Sequence, residues 1–332
     1  VLFKLRTQAA SGELLGPRIY TAGPIITAKG GHPAAIIERL APWWLRWYLI
    51  PRYTRQVDTT DEARAVVREV AGLGADAIKV VVDRIPEEVP RISGAALKAL
   101  VVEARGQKLR TVAHIGTLED AIEAADAGVA LWVHGVYKER IPDDQIRKLA
   151  SYKIPMIPTI VVFEGYALLG RGPREPTPLE RETVSAELLA AFDNPPQTKD
   201  GEYFRSHLEL LHTQRQNWRD NVRRLHAAGV TIFAGSDTQA GVFPGAGLHR
   251  ELHHLQESGL TPAQVIRAAT LDAARYLANG KEPEYGSVRE GKQADLLLVE
   301  GNPLENLDAL ARIRVVIKAG VPLERRPINA GN

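Results

Sequence analysis

Four polar side chains interrupt or close apolar runs. Lys79 lies inside Ala-Ile-Lys-Val-Val, His114 closes Thr-Val-Ala-His, His134 closes Leu-Trp-Val-His, and Asp237 follows Phe-Ala-Gly-Ser. Two imidazoles, a carboxylate and an amine form a nitrogen and oxygen donor set suited to zinc or a similar divalent ion. An ammonium cannot ligate a metal. Lys79 joins such a set only after losing its charge, for example by adding CO2 to give a carbamate. Each residue also has a plain structural reading: a hydrogen-bonded core histidine, a salt-bridged lysine, an aspartate capping a turn. A mid-strand lysine is the hardest to treat so, because an unpaired buried ammonium is costly. Taken singly the four are weak signals. Their shared placement at strand ends is what favours chemistry, since a barrel of parallel strands delivers its C-terminal ends to one face.

The elements that must do this delivery alternate along the chain, as a parallel α/β fold requires. Strands are predicted at Arg18–Ala22, Ala77–Val82, Leu109–His114, Ala130–Val133, Pro155–Phe163 (interrupted by Pro158) and Val230–Ala234. Helices are predicted between them: Thr60–Leu73, capped by Thr60 or Asp61 and stopped by Gly74; Ser93 to near Gly106; Leu118–Ala127, stopped by Gly128; and Asp143–Tyr152. A long excursion, Glu164 to Ala228, contains a helix over about Glu202–Ala227 that places Phe204, Leu208, Leu211, Trp218, Val222 and Leu225 near one stripe. Helices Leu248–Ser258 and Pro262–Leu277 follow. From Gly286 the character changes to a small β module, with strands Ala294–Val299 and Ile313–Ala319 and at most a turn over Leu304–Ala309.

Composition bounds the function. With 45% apolar and 25% charged residues, the 332-residue chain is not disordered or low in complexity. Forty-two Lys and Arg stand against 40 Asp and Glu, an even balance that argues against nucleic acid as a partner. No apolar run reaches the roughly 18 residues of a membrane span, and no secretory signal pattern is visible, so a cytoplasmic, membrane-free chain is expected unless a leader precedes Val1. Cysteine is absent, which excludes disulfides and thiolate ligands.

At this point the sequence resembles the amidohydrolase superfamily of metal-dependent hydrolases, in its imidazolonepropionase-like and Xaa-Pro dipeptidase-like branch. The resemblance is carried by GPRIYTAGPIITAKGGHP, GADAIKVVVD, LRTVAHIGTLEDAIEAADAGVALWVHG, GVTIFAGSD, LTPAQVIRAATLDAARYLA and GSVREGKQADLLLVEGNPLENL, in that order. It implies a (β/α)8 barrel over residues 1–285 and part of a β-sandwich over residues 286–332. It implies one or two divalent metal ions, zinc by the family's pattern, with Lys79 as a carboxylated bridging lysine. His114 and His134 would hold the second metal and Asp237 the first. Asp237 would also take the proton of an attacking water and pass it to a leaving amine. The expected substrate is a small molecule with an amide or peptide-like bond, and a homo-oligomer is compatible with the family. His32, in Lys-Gly-Gly-His-Pro, matches a loop at the mouth of the site and becomes a candidate substrate contact. Tyr137 and His249 are weaker ones, each equally readable as a surface or packing residue. The cluster Trp43, Trp44, Trp47 and Tyr48 reads as an apolar lid, a dimer contact or the packing of a long loop.

One departure is large. The family's first barrel strand ends in a His-x-His pair, and this chain has none. Matched to the family, Arg18–Ala22 becomes the third barrel strand, so six of eight strands are expected, with the first two and half of the sandwich missing from an N-terminally incomplete copy. A non-catalytic, truncated relative is therefore the alternative function. A metal-free barrel using Lys79 as a Schiff base is a third, and it leaves both strand-end histidines unexplained.

Overall fold

In the computed structural model the described residues are 1–169, 171, 174–193, 201–239 and 241–325. They divide into two compact units, Val1–Met156 with Lys199–His207, and Ile157–Thr198 with Leu208–Asn332. The first is built on a sheet of six strands: β1 (Ile25–Ala28), β2 (Thr54–Val57), β3 (Ala77–Val81), β4 (Arg110–His114), β5 (Leu131–Val133) and β6 (Met156–Ile157), in the order β2-β1-β3-β4-β5-β6. The registered pairs β1–β2, β1–β3, β3–β4 and β4–β5 are all parallel. The central runs are apolar because helices cover a parallel sheet and leave little of it to solvent.

The strand expected at Arg18–Ala22 does not form; the strand lies further on, at Ile25–Ala28. Thr21 spends its backbone groups on Asp76 instead: its N–H donates to the Asp76 carboxylate at 2.8 Å and its carbonyl accepts the Asp76 N–H at 2.8 Å. Gly23, at φ 68°, then turns the chain into β1. β2 was not foreseen, because Thr-Arg-Gln-Val at the end of the sheet order has no apolar run to betray it. Helices with local caps match closely. Leu118–Ala127 has the expected bounds, closed by a reciprocal Thr117–Asp120 cap and ended at Gly128, φ 89°. Thr60–Gly72 is capped by Thr59 rather than Thr60 or Asp61: Glu62 N–H donates to Thr59 Oγ1, and the Glu62 carboxylate accepts from the Thr59 N–H. The aromatic segment is a helix, Trp43–Tyr53, with Trp43, Trp44 and Trp47 exposed.

Four further expectations are corrected. The run Pro155–Phe163 is a strand only to Ile157; Ile160–Leu168 is a helix. Pro158 offers no N–H to continue a ladder, and Thr159, in the left-handed region at φ 50°, redirects the chain into the helix. Val230–Ala234 forms no strand: only Ile232 makes a bridge, and the Ala234 N–H donates to the Ala268 carbonyl. The sheet thus has six strands as expected, though not the expected six. The helix over Glu202–Ala227 is two, Gly201–Thr213 and Arg215–Ala227, and Pro262–Leu277 likewise breaks at Thr270 into Pro262–Ala269 and Leu271–Leu277. Leu211, Trp218, Val222 and Leu225 are buried as the stripe requires; the Phe204 side chain lies outside the described residues.

At the C-terminal end, β7 (Leu296–Val299), β8 (Ile313–Lys318) and β9 (Val321–Leu323) form an antiparallel sheet, with a short 3-10 turn, Leu307–Ala311, before β8. Ala319 and Gly320, at φ 49° and 84°, make the tight turn between β8 and β9. Among the described residues no helix is long and apolar enough to cross a membrane.

Candidate active site

Parallel register decides what the strand-end residues share. Lys79 stands opposite Val112, Val81 opposite His114, and His114 opposite Val133. Partners in register project to the same side, and so do residues two apart. Lys79 and His114 therefore lie on one face of adjacent strands, Lys79 one step deeper. His134 follows β5 at φ 66°, a conformation that costs a non-glycine residue roughly 1 kcal/mol and persists where its surroundings hold it. Its ring meets that of His114 edge-on, centroids 4.1 Å apart. His32, just past β1, has its ring 5.3 Å from that of His114. Three imidazoles thus converge from three strands.

The centre of the cluster is a residue that the sequence reading passed over. Asp83, fully buried two residues beyond β3, faces His114 Nε2 at 3.3 Å, accepts the Tyr137 hydroxyl at 2.5 Å, and pairs with Lys138 Nζ at 2.8 Å. The Arg84 N–H also donates to it at 2.7 Å. Lys138 in turn donates to the Arg84 carbonyl and pairs with Glu87. Burial pushes the Asp83 carboxyl up, but the His114 hydrogen bond and the Lys138 charge outweigh it and hold the group well below the usual carboxylate range. Burial, and then the Asp83 charge, push the Tyr137 hydroxyl far up, so it remains a donor.

His32, His134 and His207 are held neutral. Burial first, then the charge of His114, pushes His32 down to about 3. The same two causes, with Lys79 third, press His134 well below its ordinary value. His207, whose ring lies edge-on to Tyr137 at 6.2 Å, is pushed to about 4, mainly by burial. Neutral imidazoles keep a lone pair free to accept a proton or to ligate. His32 Nδ1 is enclosed and has no hydrogen-bond partner. Lys79 is half-buried, and its charge is felt by both His32 and His134.

Lys79, His114, His134, His32 and Tyr137 thus fall in the first unit, as neighbours. Asp237 and His249 fall in the second. Asp237 adopts φ 46°. Its Oδ2 accepts Gln239 Nε2 at 2.5 Å, and Tyr166 donates its hydroxyl to Gln239 Oε1 at 3.0 Å. Burial, then the Asp237 charge, push the Tyr166 hydroxyl to about 12. His249 is half-buried on Ala246–Glu257, its pKa lowered by burial and by His253. Of the residues not foreseen, Asp83 carried the signal used for Asp237, a carboxylate just past an apolar strand. Lys138 and His207 carried none, being remote in sequence from the residues they serve.

Donor type in the first unit suits a divalent ion: the adjoining imidazoles of His114 and His134, a third with an unpaired ring nitrogen, and a neighbouring lysine. Donor number does not, by itself. A catalytic zinc takes three protein ligands, and among the described residues no three His, Asp or Glu side chains are gathered to hold a metal.

The sequence profile described as Amidohydrolase family matches residues 3–323. Ochratoxinase of Aspergillus niger is 28% identical over 328 residues, covering 92% of this chain and 59% of that protein. Imidazolonepropionase of Shouchella clausii is 32% identical over 104 residues, 30% of this chain and 23% of that one. Among solved structures, a Xaa-Pro dipeptidase with methionine bound in its active site superposes with a TM-score of 0.74 at 26% identity, covering 98% of this chain and 72% of that one. The A. niger ochratoxinase structure shares the fold, with a TM-score of 0.71 at 23% identity. The chain spans 59% of the length of the ochratoxinase it matches.

Proposed function

Because this chain belongs to the amidohydrolase family, we propose that it serves a hydrolase that splits a C–N bond, amide or peptide-like, in a small molecule. The barrel implied by the family would present the ends of β1, β3, β4 and β5 at its mouth. The observation that carries the reading is the convergence of His32, His114 and His134, with Lys79 on the face of His114, at those strand ends. The likeness to a Xaa-Pro dipeptidase makes dipeptides the first substrates to try.

His114 and His134, with a carboxylated Lys79, would hold a divalent ion, zinc by the chemistry of the donors, and that ion supplies an activated water when bound. The remaining work belongs to this chain's own side chains. Asp237 takes a proton from the attacking water on a carboxylate oxygen and returns it to the leaving nitrogen. Tyr137 and His32 border the substrate, and Asp83 orients both His114 and the Tyr137 hydroxyl. His249 would be a further substrate contact.

The test combines metal analysis with a hydrolysis screen over Xaa-Pro dipeptides and N-acyl amino acids, on this chain and on a longer version if its gene encodes residues upstream of Val1. Stoichiometric metal and turnover are expected, with metal lost in His114→Ala and His134→Ala. Lys79→Ala should lose activity that short carboxylic acids partly restore. Metal in neither version, and no turnover, would overturn the reading. A second reading, a non-catalytic relative, is favoured by the absence of any His-x-His in the sequence; it predicts dipeptide binding without turnover in both versions.

A further inference from the structure

We propose that Glu251 is a positioning residue for Asp237: its carboxylate pins the first turn of the Ile160–Leu168 helix, and that turn and helix hold the Asp237 loop from two sides. The inference rests on the role proposed above for Asp237, and every residue in it belongs to the second unit.

Glu251 is fully buried on Ala246–Glu257. Its Oε2 accepts the Val161 N–H at 2.9 Å, and the nearby backbone N–H groups of Ile160 and Thr159 also favour its charged form. The first N–H groups of a helix have no acceptor within it, and a cap side chain normally serves them. Thr159 occupies the cap position here in a left-handed conformation and makes no such bond. The acceptor comes instead from Glu251, 90 residues away in sequence. A carboxylate is also the favoured charge at a helix N-terminus. One turn later, Glu164 pairs with His254 Nε2 at 2.9 Å and with Arg219 at 3.4 Å. The helix is therefore fixed at two successive turns against Ala246–Glu257.

That fixed helix carries Tyr166, whose hydroxyl holds Gln239, whose amide holds Asp237. On the other side, Ile157 lies two residues before the capped turn. A Cβ placed on Gly235 would come within 2.5 Å of Ile157 Cγ2, so the Gly235 backbone lies directly on this side chain. Asp237, two residues further, keeps φ 46° between these supports. Burial pushes the Glu251 carboxyl up to about 7, against the pull of His254 and the backbone N–H groups. A neutral glutamine, which keeps an acceptor oxygen, is thus the apt conservative replacement.

Hydrogen exchange measured by mass spectrometry on the intact protein tests this. Glu251→Ala should speed exchange about tenfold in peptides spanning 158–168 and 234–239, and leave 94–106 unchanged. Glu251→Gln should stay near wild type. Tyr166→Phe should speed exchange in 234–239 alone. Faster exchange confined to 158–168 in Glu251→Ala would reduce Glu251 to a helix cap and overturn the proposal, as would an unaltered 234–239 segment in Tyr166→Phe. If Glu251→Ala does not fold, the Tyr166→Phe and Glu251→Gln arms still decide. With an amide substrate in hand, Tyr166→Phe should lower kcat about tenfold with KM nearly unchanged. The exchange arm needs no turnover, so an inactive protein counts against the proposed hydrolase and not against this linkage.

Discussion

Asp83 sets the electrostatics of the first unit. It neutralises Lys138, holds the Tyr137 hydroxyl and faces His114, all away from water. Asp83→Asn leaves the buried Lys138 ammonium without its main partner. A loss of about 3–5 kcal/mol is expected in urea unfolding, the usual result of breaking a buried pair. A loss below about 1 kcal/mol would show that Glu87 suffices for Lys138. The histidines predict a pH dependence. In the unfolded chain they titrate near 6.5, while His32 and His207 are pressed to about 3 and 4 in the fold and His134 well below its ordinary value. As pH falls below about 6.5 the unfolded chain takes up protons that the folded chain refuses, so stability is lost toward acid. Glu164 and Glu180, both held at about 2, extend the loss below pH 4.5. Glu251 runs the other way: raised to about 7, it favours the fold below 4.5 and loses that contribution as pH rises through 7. The thermal midpoint should fall between pH 7 and 4, and less steeply in His207→Gln. A flat profile would contradict the neutral-histidine cluster.

At the scale of elements, two glycines make opposite predictions. A Cβ on Gly116, after β4, would stand 2.4 Å from Asp83 Oδ2. Gly116→Ala must displace the carboxylate from its partners and should cost about 1–3 kcal/mol. Gly72, at the end of Thr60–Gly72, has nothing within 4 Å of such a Cβ. Gly72→Ala should stabilise by about 0.4–1 kcal/mol by restricting the unfolded chain. Both are checked by urea unfolding. The same locality explains what the sequence displayed. Leu118–Ala127 was legible to its end residues because its cap, its period and its Gly128 stop are all local. Ile160–Leu168 was not, because its cap is Glu251 and four apolar residues after Pro158 read equally as strand or helix. β2 was hidden because a strand at the end of the sheet order need not be apolar.

For the whole molecule, the five tryptophans report on association. Trp43, Trp44 and Trp47 are 80%, 57% and 75% exposed, whereas Trp132 and Trp218 are buried. In a monomer, acrylamide should quench most of the fluorescence; protection that disappears on dilution would mean that the Trp43–Tyr53 helix meets another copy. The family resemblance, the alternation of strand and helix, Lys79 within its strand and His114 and His134 at the ends of theirs were all readable in the sequence. The resemblance is carried by motifs in a fixed order, and the rest follows from local periodicity and from residues adjacent in the chain. Folding alone brings Asp83 to His114, Tyr137 and Lys138, His32 to the His114 ring, and Glu251 to a helix start 90 residues away. Such contacts are made by register and packing between distant segments, and in the sequence their partners stand too far apart to be read as pairs.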